Sequence, residues 1–248
     1  MSKKAFQQVP VVILCGGHGV VLGEGHSERL NKALIVVNGK PMFWWVVLHY
    51  ARHGARDFVL AAGLQAERIR QAASELAAAH PDLRVQVVDT PPEASTAARL
   101  IACKPLLGGA PRFALTYSDT LSDVDLSAEL DFHTSQGLTA TLVSTQYPVR
   151  FRILGIRQGE SRVRAFAPRP VIEAAAINGG YYLFEASVWD ARYALDGSSS
   201  LETQPLEKLA AAGQLNAFEH RGAWQHCDAE RDLANLNRIA QQLAAELT

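Results

Sequence analysis

The sequence predicts an α/β fold: a Rossmann-like, mainly parallel sheet with helices on both faces and a small mixed α+β extension at its C-terminal end. Two observations carry this. Residues 9–15 form a continuous apolar run rich in β-branched side chains, closed by Gly16-Gly17, as expected of a strand buried on both faces. Strand-like and helix-like segments then alternate as far as residue 145, the βαβ pattern that builds a parallel sheet.

Taken in order, residues 17–25 read as a glycine-rich loop after the first strand. Residues 33–37 read as a short strand ended by the Asn38-Gly39 turn. Pro41 suits the first turn of a helix running to Arg52, with Gly54 as its stop. Residues 57–62 are strand-like and the alanine-rich 65–79 helical. A strand over 84–88, a helix over 96–104 and a strand over 113–117 follow. Residues 126–136 read as a helix stopped by Gly137, and 139–145 as a strand. Beyond Gln146 the pattern changes. Residues 153–157 and 163–166 suggest a hairpin around 158–160, and 180–184 a strand. A helix over 205–212, a strand over 215–220 and a long helix over 230–247 close the chain. One domain over 1–248 is expected, with a first half to 146 and a second from 147.

The chain has 248 residues, ample for a sizeable core, and its 48% hydrophobic and 20% charged residues argue against disorder. A net charge of −1 provides no bulk positive field for a nucleic acid polymer or an anionic membrane, so any phosphate site must be local. The three cysteines, Cys15, Cys103 and Cys227, are far apart and form no CxxC pair, which fits a reducing compartment. The apolar run near the N-terminus is too short for a signal peptide or a membrane span, and a cytoplasmic location is expected. The apolar stretch 43–48 suits a buried helix and leaves room for a homo-oligomer contact.

Several site patterns are absent. Gly17-x-Gly19 is followed by Leu22 where a dinucleotide fingerprint wants glycine, and Gly39-Lys40 is followed by Pro41, not by the Ser or Thr of a P-loop. G-x-S-x-G and H-E-x-x-H are also missing. The glycine-rich loop after the first strand remains. In an open parallel sheet it lies where ligands bind, and its backbone N–H groups can approach phosphate oxygens.

Residues 12–19 (VILCGGHG), Asn31-Lys32-Ala33-Leu34 and residues 37–42 (VNGKPM) resemble the opening of the sugar-1-phosphate nucleotidyltransferases, L-x-G-G-x-G-T-R-L, P-K-P-[ML] and G-[GN]-K-P. Residues 88–90 with 96–100, 113–124 (FALTYSDTLSDV), 177–181 (INGGY) and 201–218 narrow the resemblance to the glucose-1-phosphate cytidylyltransferase branch. Residues 224–232 (WQHCDAERD) are similar to that branch's W-Q-x-x-D-T-x-R-D. The resemblance implies the nucleotide-diphospho-sugar transferase type of fold. It implies an enzyme that joins a nucleoside triphosphate, with CTP favoured, to a sugar 1-phosphate or phosphorylated analogue and releases pyrophosphate.

By the same resemblance, Asp119 and Asp228 would bind Mg²⁺, and Lys32 would contact phosphate oxygens near the α-phosphorus. Leu14, Gly16, Gly17, Gly19, Thr96 and Arg99 would hold the nucleotide. Arg169, Asn178, Gly179 and Glu202 would hold the sugar phosphate. The bland readings are a turn aspartate, a helix cap, a solvated lysine and a strand-entry Asn-Gly turn.

The sequence also departs from the family pattern. Val21 stands where the loop arginine is usual, with Arg29 downstream as a substitute that could fold back. Pro168-Arg169 replaces the glutamate and lysine of F-x-E-K-P, and Ala97-Ala98 replaces a glycine pair. Asn31 and Ala33 replace the prolines around Lys32, which is expected to leave the backbone there less constrained. Two readings follow: a re-specialised transferase, or a non-catalytic relative that still binds a nucleotide or sugar phosphate.

Overall fold

The structure is a computed structural model that describes residues 6–17, 19, 29–146, 153–156, 161–167 and 176–246. The chain opens with β1 (Val11–Cys15), a 3₁₀ turn (Lys32–Leu34), β2 (Val36–Val37), β3 (Lys40–Pro41) and α1 (Met42–Arg52). It continues through β4 (Asp57–Ala62), α2 (Ala66–Ala79), β5 (Arg84–Asp89), α3 (Thr96–Cys103), β6 (Arg112–Tyr117) and β7 (Thr120–Ser122). Next come α4 (Leu126–Gln136), β8 (Ala140–Gln146), β9 (Ile153–Ile156), β10 (Val163–Ala167) and β11 (Ala176–Glu185). The end is built from α5 (Gln204–Ala211), β12 (Leu215–His220), β13 (Trp224–His226) and α6 (Leu233–Ala245).

Seven strands form one sheet in the order β12-β8-β11-β6-β1-β4-β5. The β1–β4, β1–β6, β4–β5 and β8–β12 pairs are parallel. β11 alone runs against both of its neighbours, β6 and β8. The sheet is mainly parallel, as the sequence predicts, and a strand from the second half of the chain is wedged against the first half.

Pleating explains the unbroken apolar runs. Successive side chains point to opposite faces, so each central strand must be apolar on both. In β1, Val11, Ile13 and Cys15 enter one core with residues of α1, α2, α4 and α6, while Val12 and Leu14 enter a second core with α3 and α5. In β4, Phe58, Leu60 and Ala62 join the first core, and Val59 and Ala61 the second. The stretch 43–48 is buried throughout α1, so its bulk serves the core.

Two predicted elements differ. Residues 33–37 do not form one strand. The Asn31 side chain accepts from Ala33 N, curls the chain into the 3₁₀ turn, and leaves only Val36–Val37 to pair with Lys40–Pro41. The terminal helix starts at Leu233, after a separate 3₁₀ turn at Glu230–Asp232. The β9–β10 hairpin forms as expected, although residues 157–160 lie outside the described residues.

α4 carries an ionisable group into the first core. Glu129 is buried, neither carboxylate oxygen has a hydrogen-bond partner among the described residues, and burial pushes its pKa from 4.5 up to about 8. A folded-state pKa above the unfolded one means stability is intact below about pH 4.5 and is lost as pH rises towards 8. The parent should therefore lose stability relative to Glu129→Gln across this window, on the order of 3 kcal/mol in total. Urea unfolding of both proteins at pH 5 and pH 8 checks this; a pH-independent difference would show that Glu129 ionises freely in the fold.

Candidate active site

The carboxyl ends of β1 and β6 meet at a cavity of about 550 Å³ lined by the glycine loop, the Lys32 turn, residues 93–96 and the Tyr117-Ser118-Asp119 segment. Ser118 fastens the two strand ends together, since its N–H and its Oγ both donate to the Leu14 carbonyl, at 3.3 and 2.9 Å. Leu14, Gly16, Gly17, Gly19, Lys32, Thr96, Arg99 and Asp119 all line this cavity.

Asp228 reaches the same place from the far end of the chain. β7 and β13 pair antiparallel, with Thr120 opposite His226, and the Cys227 N–H donates to the Asp119 carbonyl at 2.9 Å. Asp232, buried in the turn before α6, accepts from the N–H groups of Asp228 and Ala229, both at 2.9 Å. The Lys32 ammonium then lies 3.2 Å from Asp119 Oδ2 and 3.1 Å from Asp228 Oδ1. Burial acts to lower the Lys32 pKa, but Asp119 and Asp228 outweigh it and raise it. Burial likewise acts to raise Asp228, and His226 and Lys32 outweigh it, holding the carboxyl below its ordinary value.

His226 is a site residue that the sequence reading missed. Its Nε2 lies 3.2 Å from Lys32 Nζ and 3.0 Å from Asp228 Oδ1, and its Nδ1 lies 3.1 Å from Thr120 Oγ1. It occupies a variable position of the W-Q-x-x-D segment, so no motif marks it. Its neighbour Cys227 is buried, and burial pushes all three cysteine thiols up to about 12. None of them is a thiolate nucleophile near neutral pH.

The donor set bears on Mg²⁺. Two carboxylate oxygens converge on one cation, the oxygen chemistry that a hard divalent ion prefers. Among the described residues no group of three or more His, Cys, Asp or Glu side chains is arranged to hold a metal by itself. Asp119 and Asp228 therefore suit an ion that completes its shell with substrate phosphates.

Other predicted residues are engaged in ways the sequence did not indicate. Arg99 is buried, and its guanidinium donates to the carbonyls of Ala62 and Pro92, at 3.3 and 2.8 Å, and to the Thr90 hydroxyl. It lies so close to Gly16 that a side-chain carbon there would collide with Nη1, which is why that loop position has no Cβ. Ala97 packs into the second core, and neither Ala97 nor Ala98 lines the cavity.

Thr96 and Glu202 meet each other. The Thr96 hydroxyl donates to Glu202 Oε2 at 2.7 Å and accepts from Leu201 N at 2.8 Å. Glu202 Oε1 accepts from the Tyr117 hydroxyl, which lies 3.2 Å from that of Tyr182. Asn178 Nδ2 donates to Tyr182, and its Oδ1 accepts from Gly180 N at 3.0 Å across an irregularity in β11. The Gly179 carbonyl accepts from Trp224 Nε1 at 2.8 Å. Asn178 and Glu202, two of the predicted sugar-side residues, thus share one network with Tyr117 and Tyr182.

Arg29 is exposed, its carbonyl accepts from Gln65 Nε2 at 3.3 Å, and it does not line the cavity. Val21 and the Pro168-Arg169 pair lie outside the described residues. The backbone at Lys32 is not loose: Asn31 is 2% exposed and hydrogen-bonded within its own turn and to two other segments, the end of β1 and the loop after β4.

Comparison with known proteins gives a consistent picture. Residues 10–240 match the model of the nucleotidyl transferase family. The chain is 34% identical over 248 residues to the glucose-1-phosphate cytidylyltransferase of Salmonella typhimurium, covering 92% of this chain and 94% of that one. The inositol-1-phosphate CTP transferase from T. maritima has the same fold, with a TM-score of 0.70 at 14% identity over 98% of both chains. So does HddC from Yersinia pseudotuberculosis complexed with GMP-PN, at a TM-score of 0.70, 18% identity and 93% and 98% coverage.

Asp232 offers a direct test of how the site is braced. Asp232→Ala removes the acceptor of two backbone N–H groups and should cost about 2 kcal/mol of stability, read by urea unfolding. A loss below a few tenths of a kcal/mol would show that the 228–232 turn holds itself.

Proposed function

The chain belongs to the nucleotidyl transferase family, and on that premise we propose that it joins CTP to a sugar 1-phosphate or a phosphorylated analogue, releasing pyrophosphate. A phosphate oxygen of the sugar phosphate attacks the α-phosphorus, a new P–O bond forms, and the bond to the β-phosphate oxygen breaks in line. The pyrophosphate carries away the electron pair. No proton carrier or protein nucleophile is required, so the work of the protein is positioning and charge compensation.

The observation that carries this reading is the single ammonium set between two carboxylates at the edge of a glycine-lined cavity. Backbone N–H groups of Gly16, Gly17 and Gly19 suit phosphate oxygens. Lys32, already cationic, suits the α-phosphate as charge builds on it. Asp119 and Asp228 would hold Mg²⁺, which when bound neutralises phosphate charge. The Glu202–Tyr117–Tyr182–Asn178 network offers donors and acceptors for sugar hydroxyls. The Salmonella relative supports CTP as the nucleotide.

A pyrophosphate-release screen of CTP, UTP, GTP and ATP against a panel of sugar 1-phosphates tests the reading, with CTP expected to give the highest kcat/KM. A preference for GTP or ATP would overturn the nucleotide assignment. Asp119→Asn and Asp228→Asn should each lower turnover by about 10²- to 10³-fold or more without loss of fold. Added Mg²⁺ should tighten nucleotide binding in the parent. Affinity indifferent to both Mg²⁺ and these substitutions, with no turnover, would favour a non-catalytic binding protein.

A further inference from the structure

We infer that Asn31 is the positioning residue that places the Lys32 ammonium between Asp119 and Asp228, by clamping the Lys32 turn to the mouth of the glycine loop and to the loop after β4. The inference rests on Lys32 being the phosphate-facing cation of the proposed site.

The side chain and the backbone N–H of this one residue make four hydrogen bonds. Nδ2 donates to the Cys15 carbonyl at 2.6 Å, where β1 runs into the glycine loop, and to the Leu64 carbonyl at 2.7 Å. Oδ1 accepts from Ala33 N at 2.9 Å, and the backbone N–H donates to Gln65 Oε1 at 3.0 Å. The two carbonyl partners fix which end of the amide is nitrogen, because a flipped amide would set oxygen against oxygen. Both amide hydrogens are used, and the group is buried. Gln65, the second anchor, stands in the left-handed region at φ 56° and also donates to the Arg29 carbonyl, so it grips the chain on both sides of Leu30.

The consequence reaches the site through one peptide bond. Lys32 is the residue after Asn31 and the first of the 3₁₀ turn that Asn31 Oδ1 starts. A long flexible side chain can meet two carboxylates at 3.1 and 3.2 Å at modest entropic cost only if its backbone is held. Asn31 also ties the Lys32 turn to the end of β1, because its Nδ2 holds the carbonyl of Cys15, the last residue of that strand.

The backbone at Asn31, φ −61° and ψ 125°, is one that a proline ring would impose unaided. This separates the side chain's clamping role from mere core filling. Asn31→Asp is isosteric but turns both donors into a carboxylate facing two carbonyls. Asn31→Pro discards the clamp while keeping the chain path by covalent restraint.

Steady-state kinetics for both substrates, calorimetric nucleotide affinity and circular-dichroism melting would be measured for these variants beside Lys32→Ala. Asn31→Asp should lower kcat by about 10²-fold, as misplacement of a catalytic group by about 1 Å does, and should weaken nucleotide affinity as far as Lys32→Ala does. Asn31→Pro, which keeps the chain path but loses the bonds to Cys15, Leu64 and Gln65, should lower kcat and nucleotide affinity in the same direction. Should Asn31→Asp fail to fold, Gln65→Ala carries the test, with a smaller loss in the same direction. Parent-like kcat and affinity in Asn31→Asp, or in Gln65→Ala where that variant carries the test, would overturn the inference, as would parent-like kcat and affinity in Asn31→Pro. If the parent turns over no substrate pair, the proposed reaction fails, and the affinities still decide the role of Asn31.

Discussion

The Lys32 ammonium between Asp119 and Asp228 is the interaction on which the rest of the site depends. Two carboxylates this close repel; at an effective dielectric near 20, unit charges about 4 Å apart interact by roughly 4 kcal/mol. A cation between them turns that cost into attraction. Each partner comes from a different part of the chain: the turn after the glycine loop, the end of a central strand, and the segment before the last helix. Bringing them to one point is a demand on the whole fold.

The sheet meets that demand. The Ser118 bonds to the Leu14 carbonyl align the ends of β1 and β6, so the glycine loop and Asp119 open onto one cavity. The short β7–β13 pair then carries Asp228 to Asp119. Asn31 on one side and Asp232 on the other hold the turns from which Lys32 and Asp228 project. Antiparallel β11, inserted between β6 and β8, places Asn178 and Tyr182 within reach of Tyr117 and Glu202. The first half of the chain therefore lines most of the cavity, and the second half brings Asn178, Tyr182, Glu202 and Asp228 beside it.

Several residues that the family resemblance assigns to ligands are also bonded within the protein. Arg99 braces Gly16, Ala62, Thr90 and Pro92, and Thr96 and Glu202 bond to each other. Buried polar groups require partners, and a glycine packed against a guanidinium requires that side chain to be held. The bonds from Arg99 to Ala62, Thr90 and Pro92 meet both needs, and the absence of a Cβ at Gly16 is the mark the guanidinium leaves in the sequence.

The sequence by itself determined the layered α/β architecture, because period-2 pleating and two-sided burial force long apolar runs such as residues 11–15 and 57–62. It determined Asp119, Asp228, Lys32 and the glycine loop as candidates, because these residue types stand in segments that resemble a known family. Only the tertiary structure decided that His226 joins them and that Tyr117 and Tyr182 link Glu202 to Asn178. It alone made Asn31, which reads as a loosening substitution, a clamp. The physical reason is the same in each case. Three-residue strands such as Thr120–Ser122 and Trp224–His226 carry no periodic signal. A hydrogen bond between Asn31 and Leu64, or between Thr96 and Glu202, exists only once folding has closed the loop between them.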